Sequence, residues 1–320
     1  MYKDFFEMEH LPFVRNVPPE SLYESPCIEE ALGRLHYGAD HKMFIVVTGD
    51  SGCGKSTLIR KFVDRLPKED YIFLYLSDSK LTPRWFYSGL LMQLGLEPRF
   101  YRGDAKRQLQ KEIEILQGVH HKKVICILDE AHLLEKETLE EFRFLLNYHY
   151  DSESPMGVVL VGQTELWNQK LRLQRYAAIR QRIDMSIVLP HLDRAEAERY
   201  IASHLEYAGG RQDLFTDRAV DEIFKNSSGI PRMINRICEK ALMYAAQQKK
   251  RLIDDQMVHY VTEHELLKGG EALCHTRATS PSKNYTTYTP RSMKALIAQD
   301  YHWMNSRRRS RMNYQNSPQP

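Results

Sequence analysis

The chain has 320 residues, of which 42% are apolar and 27% are charged, and this composition excludes a wholly disordered or fibrous protein. No stretch approaches the roughly 18 consecutive apolar residues of a membrane-spanning helix, and the first residues lack the apolar core of a secretory signal. We therefore expect a cytoplasmic protein that does not enter a membrane. The net charge of +3 is uneven, because residues 269–320 carry eight Lys and Arg against two acids, which leaves about −3 for the preceding residues.

Five short runs of apolar residues predict strands that are buried on both faces. They span residues 44–48, 71–76, 124–128, 158–161 and 185–189. Helical patterns fill the intervals between the runs, at residues 55–65, 83–94, 104–118 and 136–147. Because strands that alternate with helices form parallel sheets covered on both faces, residues 41–190 are predicted to fold as a three-layer α/β domain.

The chain changes character after Pro190, where strand-like runs stop and helical patterns follow one another. They cover residues 193–208, a segment that Thr216 can cap, a segment that begins at Pro231, and a last one that ends near residue 267. Residues 191–267 are thus predicted to form an all-helical domain. Residues 268–320 are rich in Ser, Thr, Pro and Arg, and we predict a basic tail that is mostly disordered.

A phosphate-binding motif lies between the first predicted strand and the helix that follows it. It consists of Gly49, Asp50, Ser51, Gly52, Cys53, Gly54, Lys55 and Ser56, followed by Thr57, and it fits the pattern G-x-x-x-x-G-K-[ST]. The glycines let backbone N–H groups surround phosphates at the positive end of a helix. Lys55 supplies a charge for the β- and γ-phosphates, and the Ser56 hydroxyl is placed to ligate Mg²⁺. ATP and Mg²⁺ are therefore the predicted cofactors.

Polar residues follow two further predicted strands. Asp129 and Glu130 end the run at 124–128, where a phosphoryl-transfer site needs one carboxylate for the metal and one to polarise a water molecule. We assign Asp129 to the metal and Glu130 to the water. Gln163 follows the run at 158–161, where its amide can orient that water, although a solvated loop glutamine is the alternative.

The order of these motifs resembles the AAA+ ATPases, in particular the branch of ExeA/GspA secretion ATPases and TniB/TnsC/IstB/MuB-type transposition ATPases. The resemblance covers roughly residues 1–267. It is carried by residues 2–6, 12–13, 49–57, 128–132, 161–163, 179–183 and 229–235.

The resemblance implies several roles that the residues alone do not establish. Residues 1–40 would form a segment near the nucleotide, and residues 191–267 would form a lid. Gln163 would act as sensor 1 and Arg232 as sensor 2. Arg180 or Arg182 would be an arginine finger offered to the ATP of the next subunit, within a hexameric ring or a helical filament.

Members of this branch differ in the regions that follow their ATPase domain. Secretion members carry a membrane span and a wall-binding region after it, whereas the remaining residues of this chain are polar and basic. The resemblance therefore favours a regulator of transposition that assembles on double-stranded DNA with ATP and recruits and activates a transposase. A helicase-loader-like ATPase and a secretion-type ATPase that acts without DNA are the alternatives.

A cluster of basic residues with interleaved aromatic side chains is the candidate DNA surface. Its members are Lys80, Arg84, Arg99, Arg102, Lys106 and Arg107, with Phe100 and Tyr101 between them. An ordinary solvated helix face is the alternative. Nearby Trp85, with Phe86 and Leu90, is predicted to be helix core. The arginines of the tail fit a second DNA contact, a transposase-docking segment or a terminus without a role.

Overall fold

The structure is a computed structural model that describes residues 2–78, 81–145 and 154–266. The predicted tail, residues 268–320, lies outside the described residues, as does Lys80 of the candidate DNA surface. The described chain forms two compact units. The α/β unit comprises residues 30–49 and 55–189, and the helical unit comprises the residues up to 29, residues 50–54 and the residues from 190 onward.

A parallel sheet of five strands forms the middle layer of the α/β unit. The strands are β1 (Phe44–Gly49), β2 (Tyr71–Leu76), β3 (Lys123–Leu128), β4 (Gly157–Gly162) and β5 (Met185–Leu189). Their order in the sheet is β2-β3-β4-β1-β5, with Thr48 of β1 opposite Gly162 of β4. The three-layer α/β fold with a parallel sheet is confirmed, and the five strands match the predicted runs within two residues.

The helices of the described residues follow in chain order. They are α1 (Tyr2–Phe5), α2 (Pro26–Asp40), α3 (Lys55–Arg65), α4 (Pro83–Gln93), α5 (Arg102–Gly118), α6 (Lys136–Leu145), α7 (Ala177–Arg180), α8 (Arg194–Tyr207), α9 (Asp217–Ser227), α10 (Pro231–Gln247) and α11 (Asp255–His264). A π-helical segment, Leu166–Leu171, lies between β4 and α7. The sequence analysis did not predict α2, whose apolar side of Ala31, Leu32, Leu35 and Ala39 is buried.

The core of the α/β unit explains why its inner strands are apolar at nearly every position. Each residue of β3 from Val124 to Leu128 is at most 1% exposed, because side chains on both faces of the sheet are covered. Phe44 and Leu160 on the strands pack in one cluster with Phe86 of α4 and Phe142 of α6. The carboxyl ends of the five parallel strands meet at one edge, and this edge carries the candidate site.

The helical unit has a separate core, formed by α8 to α11 and the start of the chain. Tyr2, Phe6, Met8 and Phe13 are buried in the same cluster as the apolar side chains of these helices. The predicted cap Thr216 accepts a hydrogen bond from the Ala219 N–H at 3.2 Å. Within the described ranges, no helix is long and apolar enough to cross a membrane.

Candidate functional site

The chain turns from β1 into α3 at the predicted phosphate motif. Lys55, the first residue of α3, is 8% exposed, and its ammonium group donates a hydrogen bond to the carbonyl oxygen of Gly49 at 2.7 Å. The N-terminus of an α-helix carries partial positive charge and unpaired N–H groups, which attract anions. The end of β1 therefore presents a lysine and a helix N-terminus together.

The loop of residues 50–54 belongs to the helical unit and is built on two glycines with positive φ. Gly52 and Gly54 both have φ near +93°, a conformation that side chains with a Cβ rarely adopt. A Cβ added to Gly52 would lie 2.8 Å from the Cβ of Arg232. Only glycine lets the chain pass this close to α10.

Arg232 contacts this loop in two places. Its backbone N–H donates to the carbonyl oxygen of Gly52 at 3.3 Å, and its guanidinium donates to the Ser51 hydroxyl at 3.2 Å. The structure thus brings together two predicted site elements that are 181 residues apart. The sequence analysis missed His191, whose Nε2 lies 2.8 Å from a carboxylate oxygen of Asp50.

The two predicted metal-binding residues are in contact. Asp129 follows β3 and is 9% exposed, and its Oδ2 accepts a hydrogen bond from the Ser56 hydroxyl at 3.3 Å. The same oxygen accepts from the hydroxyl of Tyr75 at 2.8 Å, while the Glu130 N–H donates to Oδ1 at 2.9 Å. Hydroxyl and carboxylate oxygens are ligands that Mg²⁺ takes, so this pair fits the ion. Tyr75 was missed because nothing in its strand pattern marks it.

Glu130 lies in a left-handed conformation with φ 56°, which is uncommon for a residue other than glycine. Its carboxylate is half exposed, and Oε2 lies 3.5 Å from Nδ1 of His132. The backbone N–H of Gln163, at the end of β4, donates to the same Nδ1 at 3.4 Å. Glu130 and Gln163 are therefore neighbours that share one histidine.

The two candidate finger residues lie at and after the end of α7. The guanidinium of Arg180 donates from Nη1 to the carbonyl oxygens of Leu171 and Arg172, both at 2.9 Å. These bonds tie Arg180 to the end of the π-helical segment. Arg182 is half-buried two residues further along the chain.

Some of the described residues of the candidate DNA surface are paired within the protein, and others are exposed. Arg102 pairs at 3.1 Å with Glu141, whose side chain is 4% exposed, and burial lowers the pKa of the Lys106 ammonium close by. Arg107 pairs with Asp104 at 2.6 Å. These three side chains are thus partly committed to contacts within the protein.

Arg84 and Arg99 lie on the exposed part of the surface. Arg84 stacks on the ring of Phe100 at 4.4 Å, and Phe100 and Tyr101 are 68% and 70% exposed. The prediction that Trp85 belongs to the helix core is wrong, because this side chain is 59% exposed. Its α4 neighbours Phe86 and Leu90 are buried as expected, since they lie on the side of the helix that packs into the core.

Comparison with known proteins gives matches in both sequence and structure. Residues 38–169 match the family model described as an AAA domain. Over 250 residues the chain is 34% identical to general secretion pathway protein A of Aeromonas hydrophila. The alignment covers 77% of this chain but only 45% of that protein, so the chain spans about half the length of this relative.

Two solved structures share the fold at low sequence identity. The ORC2 protein of Aeropyrum pernix, in its ADPNP–ADP complexes, has a TM-score of 0.61 at 19% identity, covering 80% of this chain and 72% of the other. The Drosophila ORC bound to DNA has a TM-score of 0.59 at 18% identity, covering 80% and 65%.

Proposed function

We propose that this chain, an AAA-domain ATPase related to general secretion pathway protein A and similar in fold to ORC proteins, is a nucleotide-dependent clamp on double-stranded DNA. In this proposal it assembles on target DNA with ATP, recruits a transposase and activates it. The observation that carries the ATPase part is the contact between Ser56 and Asp129, with Lys55 on the same helix and Glu130 next in the chain.

Each of these residues has a defined task in hydrolysis. Lys55 and the N–H groups at the start of α3 bind the phosphates, and Ser56 and Asp129 hold Mg²⁺, which neutralises phosphate charge when bound. Glu130 accepts a proton from a water molecule as the water attacks the γ-phosphorus. The bond from that phosphorus to the bridging oxygen breaks, and ADP and phosphate are released. Gln163, beside Glu130 through His132, orients the water.

Two arginines make hydrolysis depend on the state of the assembly. Arg232, which already contacts Ser51 of the phosphate loop, senses the nucleotide from the helical unit, which acts as a lid. Arg180 or Arg182 is the arginine finger offered to the ATP of the next subunit, and Arg180 also donates two hydrogen bonds to carbonyl groups of its own segment. An arginine supplied in trans can be worth about 10³ to 10⁵ in rate, so isolated subunits hydrolyse ATP slowly.

The exposed side of the basic surface is the proposed DNA contact. Arg84 and Arg99, with Phe100 and Tyr101, combine positive charge with open aromatic rings. Contacts of arginine with phosphates give binding that weakens with salt and depends little on sequence. Support comes from the fold likeness to an ORC structure that is bound to DNA. The transposition role itself rests on the resemblance of the motifs to transposition ATPases.

A second candidate is a secretion-type ATPase that acts without DNA, which the 34% identity to general secretion pathway protein A favours. The two proposals differ in one measurable property. A DNA clamp hydrolyses ATP at a different rate when duplex DNA is present, whereas a secretion-type ATPase does not respond.

Electron microscopy with duplex DNA and a non-hydrolysable ATP analogue tests the proposal. We expect rings or filaments on the DNA that require the analogue. They should be absent for Lys55→Ala, which lacks the phosphate-binding charge. Purified protein that forms no nucleotide-dependent complex with duplex DNA would count against the clamp. Strand-transfer assays with a transposase encoded beside the gene then test whether the DNA-bound protein directs insertion.

A further inference from the structure

The Asp129 carboxylate is held by a tyrosine from the neighbouring strand. Tyr75 lies on β2, which pairs with β3 in register, and its hydroxyl is 2.8 Å from Oδ2 of Asp129. Ser56 reaches the same oxygen, and the Glu130 N–H binds Oδ1. The carboxylate is therefore fixed at both oxygens, and two of the three contacts come from residues already placed at the ATP site.

The Tyr75 hydroxyl is the donor in this contact, because an ionised carboxylate has no proton to donate. An ionised carboxylate accepts its hydrogen bond, and such charge-assisted bonds are about twice as strong as neutral ones.

The backbone of Tyr75 is itself held in position by a glutamine. In the described part of the sheet β2 is an edge strand, so one side of it has no strand neighbour. The Tyr75 N–H donates to Oε1 of Gln93 at 2.8 Å, and Nε2 of Gln93 donates to the Tyr75 carbonyl oxygen at 2.9 Å. Gln93 is the last residue of α4, and its amide replaces a missing strand at this one position.

We propose that Tyr75 is a positioning residue for the metal-binding carboxylate, and that Gln93 holds it in place. The hydroxyl holds the Asp129 carboxylate beside the Ser56 hydroxyl, and these two groups would hold Mg²⁺. The inference rests on the proposed function, because it requires Mg²⁺ and nucleotide at Ser56 and Asp129. Consecutive hydrogen bonds through Tyr75 and Gln93 also connect Asp129 to α4, the helix that carries the exposed Arg84 and Trp85.

The test is Tyr75→Phe, which removes the hydroxyl and keeps the ring. The readout is the Mg²⁺ concentration that gives half-maximal binding of a fluorescent ADP analogue, measured together with thermal unfolding without nucleotide. Residues that orient metal ligands typically contribute about 10- to 100-fold to metal affinity, so we expect this concentration to rise about 10-fold. A purely structural role would lower thermal stability and leave the Mg²⁺ requirement unchanged.

Tyr71→Phe is the matched control, because Tyr71 lies on the same strand and its hydroxyl also binds a carboxylate, that of Asp40. It should leave the Mg²⁺ requirement unchanged. Gln93→Leu removes both backbone contacts and should raise the requirement in the same direction as Tyr75→Phe. The inference is overturned if Tyr75→Phe binds with the wild-type Mg²⁺ requirement, or if Tyr71→Phe shifts it equally. If the wild-type protein binds no nucleotide, the proposed function fails instead.

Discussion

Three buried charges in the α/β unit, those of Lys55, Asp129 and Glu141, each have a polar partner. Lys55 and Asp129 are 8% and 9% exposed, and Glu141 of α6 is 3% exposed. A buried charge is costly unless it is hydrogen-bonded, and Glu141 accepts from the Tyr87 hydroxyl at 2.6 Å and pairs with Arg102. The need to neutralise Glu141 gives Arg102 a structural role, and the proposed DNA contact is therefore limited to Arg84 and Arg99.

His204 of the helical unit is a buried base whose titration should affect stability. It is 4% exposed, its Nδ1 lies 2.7 Å from the Pro12 carbonyl oxygen, and its ring stacks on Phe13. Burial lowers the pKa of His204 below the usual value of 6.5, although the Pro12 carbonyl opposes the shift. The folded protein therefore keeps this ring neutral where the unfolded chain takes up a proton.

We expect the free energy of unfolding to decrease as the pH falls below about 6.5 towards the lowered pKa of the folded state, because the unfolded state binds more protons there. His204→Gln should flatten this dependence in urea denaturation curves between about pH 7 and pH 5. Some slope should remain, since burial also lowers the pKa of His36. The exposed His120→Gln is the control, and equal slopes in His204→Gln and wild type would contradict the assignment.

Two glycines show how the same residue type can have opposite effects in different elements. Gly229 joins α9 to α10 with φ +73°, and a Cβ there would collide with the carbonyl oxygen of Leu192. Gly33 lies on the exposed side of α2, with no atom within 4 Å of an added Cβ. Position 229 therefore requires glycine. At position 33 glycine only destabilises the helix, because it loses more conformational entropy on folding than alanine does.

Gly229→Ala should therefore lower the free energy of unfolding by about 2 to 4 kcal/mol, through both strain and collision. Gly33→Ala should raise it by about 0.5 to 1 kcal/mol, because alanine is the better helix former. Chemical denaturation of the two variants measures both values. Surface substitutions typically change the free energy of unfolding by less than about 0.5 kcal/mol. If Gly229→Ala changes it no more than that, the backbone between α9 and α10 can rearrange to accept the added methyl group.

At the scale of the whole molecule, the proposed mechanism requires that each ATP pocket be completed by a neighbouring copy. Glu130→Gln removes the group proposed to accept the proton, and Arg180→Ala or Arg182→Ala removes the proposed finger. Glu130→Gln and the arginine variant that lacks the finger should each hydrolyse ATP slowly when alone, by about 10²-fold or more below wild type. An equal mixture of these two variants should regain roughly a quarter of the wild-type rate, because an active pocket needs Glu130 from one copy and the finger from the next.

The two arginine variants are compared in the same experiment. Arg180→Ala should lower stability, because two carbonyl groups lose their donor. The arginine variant that keeps the finger should hydrolyse ATP alone, and its equal mixture with Glu130→Gln should have about half of the wild-type rate, because half of the pockets carry Glu130 and every copy supplies a finger. Trans completion is contradicted if neither arginine variant is slow alone and faster in the mixture.

The sequence by itself determined the secondary-structure elements and the candidate site residues that lie close together in the chain. Mostly apolar runs predicted all five strands, since a strand buried on both faces has few polar positions. The expectation of burial on both faces is wrong for β5, where Val188 is 57% exposed. The glycines, Lys55 and Ser56 could be predicted as a phosphate loop because such a loop is a single continuous segment whose backbone conformation is encoded locally. Helix α2 was not predicted, although Ala31, Leu32, Leu35 and Ala39 recur along one side of it.

The tertiary structure decided which distant groups meet. Tyr75 reaches Asp129 because β2 lies next to β3 in register, an arrangement set by the order of strands rather than by either strand's residues. Trp85 is exposed and Arg102 is paired with Glu141 because of how α4, α5 and α6 pack. Local patterns fix backbone conformation, but pairings between residues far apart in the chain depend on packing free energy summed over the whole unit.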